Sequence, residues 1–273
     1  MTRSCNLFIW MMFIWPSWQL LAQASTTDFY QIPAQQFNYR SESEPDIANS
    51  FIKRPRVISI SLTDFSISRQ ISLKEYRQFV ESQPSEMYRQ LRPDTSITHA
   101  EAYRAYWETD DYDKYPALGI SWENAIAYCQ WRTLEEQRPG SYSYYYTLPT
   151  YYQWIGAFRQ LDSKRKKHDF NQDYADWLLH SYPITEYSFL HDLNPDLAYQ
   201  EDTLELLKLQ HSLTIGASYR RQLANIRDYY RLKMTKNRGY PDVGFRIVKV
   251  MLPTSEEERT AIDKYFVALW QLH

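Results

Sequence analysis

The stretch from Tyr115 to Arg159 constrains the fold most, because it packs two helix starts, a strand and a dense set of aromatic anchors into 45 residues. Ser121 precedes a helical pattern, and its hydroxyl can accept a bond from a first-turn amide that has no partner within the helix. Glu123 places negative charge at the positive end of the helix dipole. Trp122, Ala125, Ile126 and Cys129 recur at three- and four-residue steps on one face. Arg138-Pro139-Gly140 ends that helix, since proline cannot continue the ladder and glycine turns the chain. Tyr142 to Leu148 is short, tyrosine-rich and strand-like. Thr150 and Gln153 then have capping-box spacing, followed by Trp154, Ala157, Phe158 and Leu161 on one helical face. Packing and capping account for all of these residues.

Composition sets the outer bounds. The 273 residues allow one large domain or two small ones, and 44% hydrophobic with 16% aromatic residues is enough for a sizeable core. The formal charge is −2; without residues 1–24, where Arg3 is the only charged residue, 30 basic residues face 33 acidic ones. That balance, with no aromatic-basic array, excludes nucleic acid as the expected partner. Of the two cysteines, Cys5 lies near the start and Cys129 on an apolar helix face. A buried, inert thiol is expected there, because a reactive one needs a cationic, partly open setting.

Residues 1–24 read as a secretory signal peptide: Arg3, an apolar run from Leu7 to Trp15, and a small-x-small cleavage site at Ala22-Gln23-Ala24. The run is too short to span a bilayer and is followed by Pro16, Ser17 and Gln19. Export to the periplasm or cell surface is therefore expected, with no integral membrane segment after cleavage. Cys5 precedes the apolar run and so does not form a lipoprotein cysteine. Residues 25–56 are polar, with Pro33, Pro45 and a Ser-Glu-Ser-Glu run, and read as a linker or arm. Val57 to Leu62 alternates as a strand, and Ser72 with Glu75 forms a second capping box opening a helix with Leu73, Tyr76, Phe79 and Val80 inward. A helix is expected over Thr98 to Glu108. Asp110, Asp111 and Asp113 lack the glycine and closing bidentate acid of a calcium loop and read as a solvated loop. The basic run Lys164 to His168 also reads as a solvated loop. His180, His191 and Asp192 lack metal-ligand spacing. A helix is expected over Leu204 to Leu213, and strands over Leu213 to Ala217 and Val243 to Val250. Residues 251–273 form an amphipathic helix, capped by Thr254 and Glu257, with Ile262, Tyr265, Phe266 and Leu269 in one stripe. That stripe needs a surface to cover it, on this domain or on a partner.

Five motifs, in order, resemble the formylglycine-generating enzyme (sulfatase-modifying factor) family. They are Ser61 to Val80, Ser121 to Trp131, Leu148 to Arg159, Ala175-Asp176-Trp177, and Gly216-Ala217-Ser218-Tyr219 followed by Gly244-Phe245-Arg246. The resemblance implies a compact, loop-rich α+β domain related to C-type lectins over residues 57–250. It also implies a reaction, oxidation at a single cuprous ion held by two cysteines a few residues after the Gly-Gly-Ser element, since Cu(I) prefers thiolates. Here those positions fall near Arg221 and Ile226, neither of which is a thiolate. The histidine-held iron of related sulfoxide synthases has no counterpart cluster. Asn171 and Asp173 keep oxygen ligands near the family's calcium position, but the glycine that shapes it is missing, so no cofactor is expected. In Gly244-Phe245-Arg246, Gly244 is expected to permit a turn, Phe245 to pack and Arg246 to pair with a buried acid. The expected role is that of a non-catalytic module with a protein partner in the cell envelope, as in the family's gliding-motility and type IX secretion members. Tyr219, Arg220 and Arg221 would face that partner. A metal enzyme with another site, and a glycan- or ligand-binding lectin-like protein, are the alternatives.

Overall fold

The computed structural model describes residues 29–41, 56–138, 142–161, 170, 173–182, 208–216, 218 and 231–271. Helix starts follow the local chemistry. Ser72 caps helix α1 (Leu73–Ser82) in a complete capping box: Glu75 accepts from the Ser72 amide at 2.9 Å and donates its own amide to the Ser72 hydroxyl. Ser121 caps α4 (Trp122–Glu136) by accepting from the Asn124 amide at 3.1 Å. Thr150 and Gln153 form the box that opens α5 (Tyr151–Gln160). Between α1 and α4 lie a short α2 (Tyr88–Leu91) and α3 (Ala100–Glu108).

Three sheets organise the strands. Taken in chain order they are β1 (Phe29–Ile32), β2 (Gln35–Ser41), β3 (Arg56–Leu62), β4 (Phe65–Ser68), β5 (Tyr144–Thr147), β6 (Ala175–Tyr182), β7 (His211–Ile215), β8 (Arg231–Thr235), β9 (Val243–Gly244) and β10 (Val248–Met251). One sheet has the order β1-β4-β10-β5, a second pairs β2 with β3, and a third runs β8-β7-β6-β9. All pairings are antiparallel except β6 with β9, where Ala175 faces Val243 and Asp176 faces Gly244. This mixture of helices and sheets is the α+β class.

The core has two parts. One gathers α1, α3, α4 and β5 around Tyr76, Tyr128, Trp122 and Phe245; the other packs α5 on β1, β3, β4, β6 and β7. Two indole N–H groups join α4 to β6 by crossing bonds: Trp122 donates to the Leu178 carbonyl at 2.8 Å, and Trp177 donates to the Ile120 carbonyl at 2.9 Å. Burying these N–H groups without partners would offset much of the gain from burying the rings.

Several expectations are corrected. Residues 29–41, read as part of a linker, carry β1 and β2; β1 joins the sheet of β4, and Ile32 is only 1% exposed. The strand expected over Leu213 to Ala217 is His211–Ile215, and Lys208 to Gln210 form a turn before it, so the helix expected over Leu204 to Leu213 does not include residues 208–213; residues 204–207 lie outside the described residues. The strand expected over Val243 to Val250 divides into β9 and β10, with Phe245, Arg246 and Ile247 between them. Gly244 has no left-handed backbone, and an added Cβ would meet only ordinary contacts at 3.5 Å or beyond. The C-terminal helix α6 (Glu256–Trp270) starts after Ser255, which makes no side-chain cap bond, so the Thr254–Glu257 box does not form. Its stripe is covered by this domain: Phe266 stacks on Tyr145 with centroids 4.3 Å apart, and Tyr145 donates its hydroxyl to Asp263 at 2.6 Å.

Candidate functional site

The parallel β6–β9 pairing brings two distant motifs together. Asp176 on β6 accepts three hydrogen bonds, from Arg246 Nε at 2.7 Å, Trp154 Nε1 at 2.8 Å and Gln70 Nε2 at 2.9 Å. Arg246 is fully buried; it also reaches the Ser68 carbonyl at 3.3 Å and lies 3.9 Å from the Phe170 ring centroid. The buried acid expected for Arg246 is thus Asp176, 70 residues earlier in the chain. A carboxylate so fully engaged ties four segments together.

From this tie the chain leads to the expected partner-facing segment. Gly216, at φ +98°, turns the end of β7 through a conformation that favours glycine. Ser218 is buried and donates to Asp242 Oδ2 at 2.6 Å, while the Asp242 carbonyl accepts from the Ala175 amide at 2.9 Å. Tyr219, Arg220, Arg221 and Ile226 lie outside the described residues, as do Asn171, the Lys164 to His168 run, His191 and Asp192. The structure therefore fixes the root of the segment at Ser218.

The residues present do not fit the copper ion that the resemblance implies. Cys129 is 1% exposed on the inner face of α4, and burial pushes its thiol well above the usual range, so it is held as a neutral thiol. The only other sulfhydryl in the sequence is Cys5. Two thiolates on one ion therefore cannot be assembled within one chain. The acids at 110–113 are turned to another use: Arg77 pairs with Asp110 at 3.2 Å and with Asp113, and Lys74 approaches Asp113 at 3.9 Å. Among the described residues no group of three or more His, Cys, Asp or Glu side chains is placed to hold a metal.

A groove opens beside α4, with a volume of about 820 Å³. Part of its lining is built by backbone contact. The Asp94 amide donates to the Gly119 carbonyl at 2.8 Å, the Gly119 amide donates to the Tyr240 carbonyl at 3.0 Å, and a Cβ on Gly239 would lie 1.8 Å from the Gly119 oxygen. Asn124 bridges to the Gln90 carbonyl at 2.7 Å, fixing α2 against α4. Nearby in the chain, Lys236 is 4% exposed, with Nζ 4.1 Å from the Trp122 ring centroid. Burial pulls its amine down to about 7, and Glu123 opposes that shift. Glu123 is itself raised by burial, with Lys236 opposing. The sequence carries no spacing signal for this groove, because its walls come from residues 79–95, 119–134, 237–239 and 270.

A family model described as the sulfatase-modifying factor enzyme 1-like domain matches residues 19–210. Among solved structures, that of PvdO from Pseudomonas aeruginosa is 12% identical over 82% of this chain and 95% of its own, with a TM-score of 0.55. The crystal structure of CarF is 12% identical over 82% of this chain and 98% of its own, with a TM-score of 0.46. At these identities the likeness to PvdO is one of fold. No curated protein matches the sequence.

Proposed function

The chain belongs to the sulfatase-modifying factor enzyme 1-like domain family, and from that membership we propose that it works as a non-catalytic interaction module. In this reading it is exported and serves an assembly of the cell envelope, of the gliding-motility or type IX secretion kind. One observation carries the proposal: Cys129 is sealed in the core, while by the family resemblance the copper-thiolate positions would fall near Arg221 and Ile226, neither of which is a thiolate. A fold kept without its metal ligands retains a rigid platform for other contacts. Ser218, bonded to Asp242, would hold the base of the segment that carries Tyr219, Arg220 and Arg221 toward a partner. The apolar residues 7–15 and the Ala22-Gln23-Ala24 site support export. No helix among the described residues is long and apolar enough to cross a membrane.

Cell fractionation combined with cross-linking of the tagged chain in its native host tests this reading. The expected result is recovery outside the cytoplasm with a fixed set of envelope proteins, and loss of that set in Arg221→Glu with the fold intact. Recovery in the cytoplasm, or a set unchanged by Arg221→Glu, contradicts it.

A further inference from the structure

The groove beside α4 has a recognition chemistry of its own, apart from the segment beyond Ser218. Its volume of about 820 Å³ suits a bound small molecule, since such clefts measure roughly 300–1,000 Å³. One wall is apolar and preset. Trp131 is held by Phe79 and Tyr128, with centroids at 5.5 Å to each, and Trp270 is held against Tyr145 at 5.5 Å and Tyr142 at 6.2 Å. Leu134 and Met87 extend this wall toward solvent, at 39% and 40% exposure, two of the few large apolar side chains so exposed among the described residues.

The remaining lining is polar and uncommitted. The side-chain amides of Gln90, Gln130 and Asn237 line the groove and make no hydrogen bond among the described residues. Each amide can donate and accept at once. Charge is balanced, with Arg89 and Arg92 against Asp94 and Glu123, so no net field selects an ion. The fitting ligand has a flat apolar face and a rim of neutral groups that both donate and accept. A pyranose ring has that form, with C–H bonds on one face and hydroxyls around its edge. An amphipathic helix fits less well: its backbone groups are already paired, so it would strip water from the three amides and give nothing back.

We propose that this groove binds a neutral oligosaccharide, with sugar faces on Trp131 and Trp270 and hydroxyls on Gln90, Gln130 and Asn237. Trp270 comes from α6, beyond the residues 19–210 that match the family model, so the site depends on an element outside that match.

Calorimetric titration of the full chain with neutral hexasaccharides (β-glucan, α-glucan, chitin and xylan series) tests the proposal, with a heparin hexasaccharide and a labelled amphipathic helical peptide alongside. At least one neutral series binds, with affinity rising with chain length, and the heparin fragment does not bind more tightly. Trp131→Ala and Trp270→Ala each weaken binding roughly tenfold, equivalent to about 1.4 kcal/mol. The Gln130→Ala/Asn237→Ala double variant leaves the apolar packing untouched and weakens binding about threefold or more, so it decides the matter if a Trp variant does not fold. The proposal is overturned if no neutral series binds, if the double variant binds as well as the parent, or if the peptide binds and no saccharide displaces it. None of these readouts involves envelope partners, so this proposal and the proposed function stand or fall separately.

Discussion

The centre of the molecule and its two flanks are held by different physics. At the centre, Asp176, Arg246, Gln70 and Trp154 make short directional bonds between residues far apart in sequence. At the flanks apolar burial weighs more: α6 buries Phe266 and Leu269, at 0% and 1% exposure, while β1 adds the burial of Ile32, at 1% exposure, to its ladder with β4. Directional bonds demand particular residue types, which is why the centre carries motifs. Burial demands mainly volume and pattern, so the flanks look unremarkable in sequence and still contribute to the core.

Substitutions can break this contrast in decreasing order of effect. Asp176→Ala removes the carboxylate paired with the buried Arg246 guanidinium and is expected to cost about 3–5 kcal/mol by urea denaturation. Asp176→Asn, though nearly isosteric, remains strongly destabilising, and Asp176→Leu/Arg246→Met recovers only part of the loss: no charge is left buried, but the Trp154 and Gln70 donors lose their acceptor. On the flank, Phe266→Ala costs about 3–4 kcal/mol, whereas Phe266→Leu costs under about 1.5 kcal/mol. If Phe266→Leu proved as damaging as Asp176→Asn, the distinction between centre and flank would collapse.

Lys236 gives the next effect, read against pH. Its folded amine titrates at about 7, below the ordinary 10.5, so between these values the folded state binds fewer protons than the unfolded one. Stability therefore rises with pH across that window, by at most about 1.4 kcal/mol per pH unit. Below pH 7 both states hold the proton and this slope vanishes. Lys236→Met is expected to flatten the rise in thermal melts between pH 7 and 10; an unchanged slope would remove Lys236 as its source. The smallest change is Thr150→Ala, which loses one cap bond at the start of α5 and about 1 kcal/mol, measurable as a lowered urea midpoint.

What the sequence revealed follows the range of each interaction. Capping boxes join residues three apart, so Ser72 with Glu75 and Thr150 with Gln153 were readable without a structure. The need of Arg246 for an acid was readable from its chemistry, but the identity of Asp176 depends on the parallel pairing of β6 with β9. Strand β2 is not legible in the sequence because it is mostly polar, and β1 because it is only four residues long, with Ile32 alone buried, at one edge of a sheet. The split of β9 from β10 was equally hidden, since Phe245 and Ile247 are as apolar as strand residues while Arg246 turns inward to Asp176. The groove and Lys236 arise where four separate segments converge, which no local pattern encodes.

With Cys129 sealed in the core, this family member is proposed not to hold a copper ion through paired sulfurs. Anaerobic titration of the purified chain with Cu(I), followed by gel filtration, metal analysis and oxygen uptake with a cysteine-bearing peptide, tests that most directly. A chain without paired sulfurs is expected to hold no stoichiometric copper after filtration and to consume no oxygen above the peptide blank. One tightly held copper per chain, with peptide-dependent oxygen uptake, would contradict it.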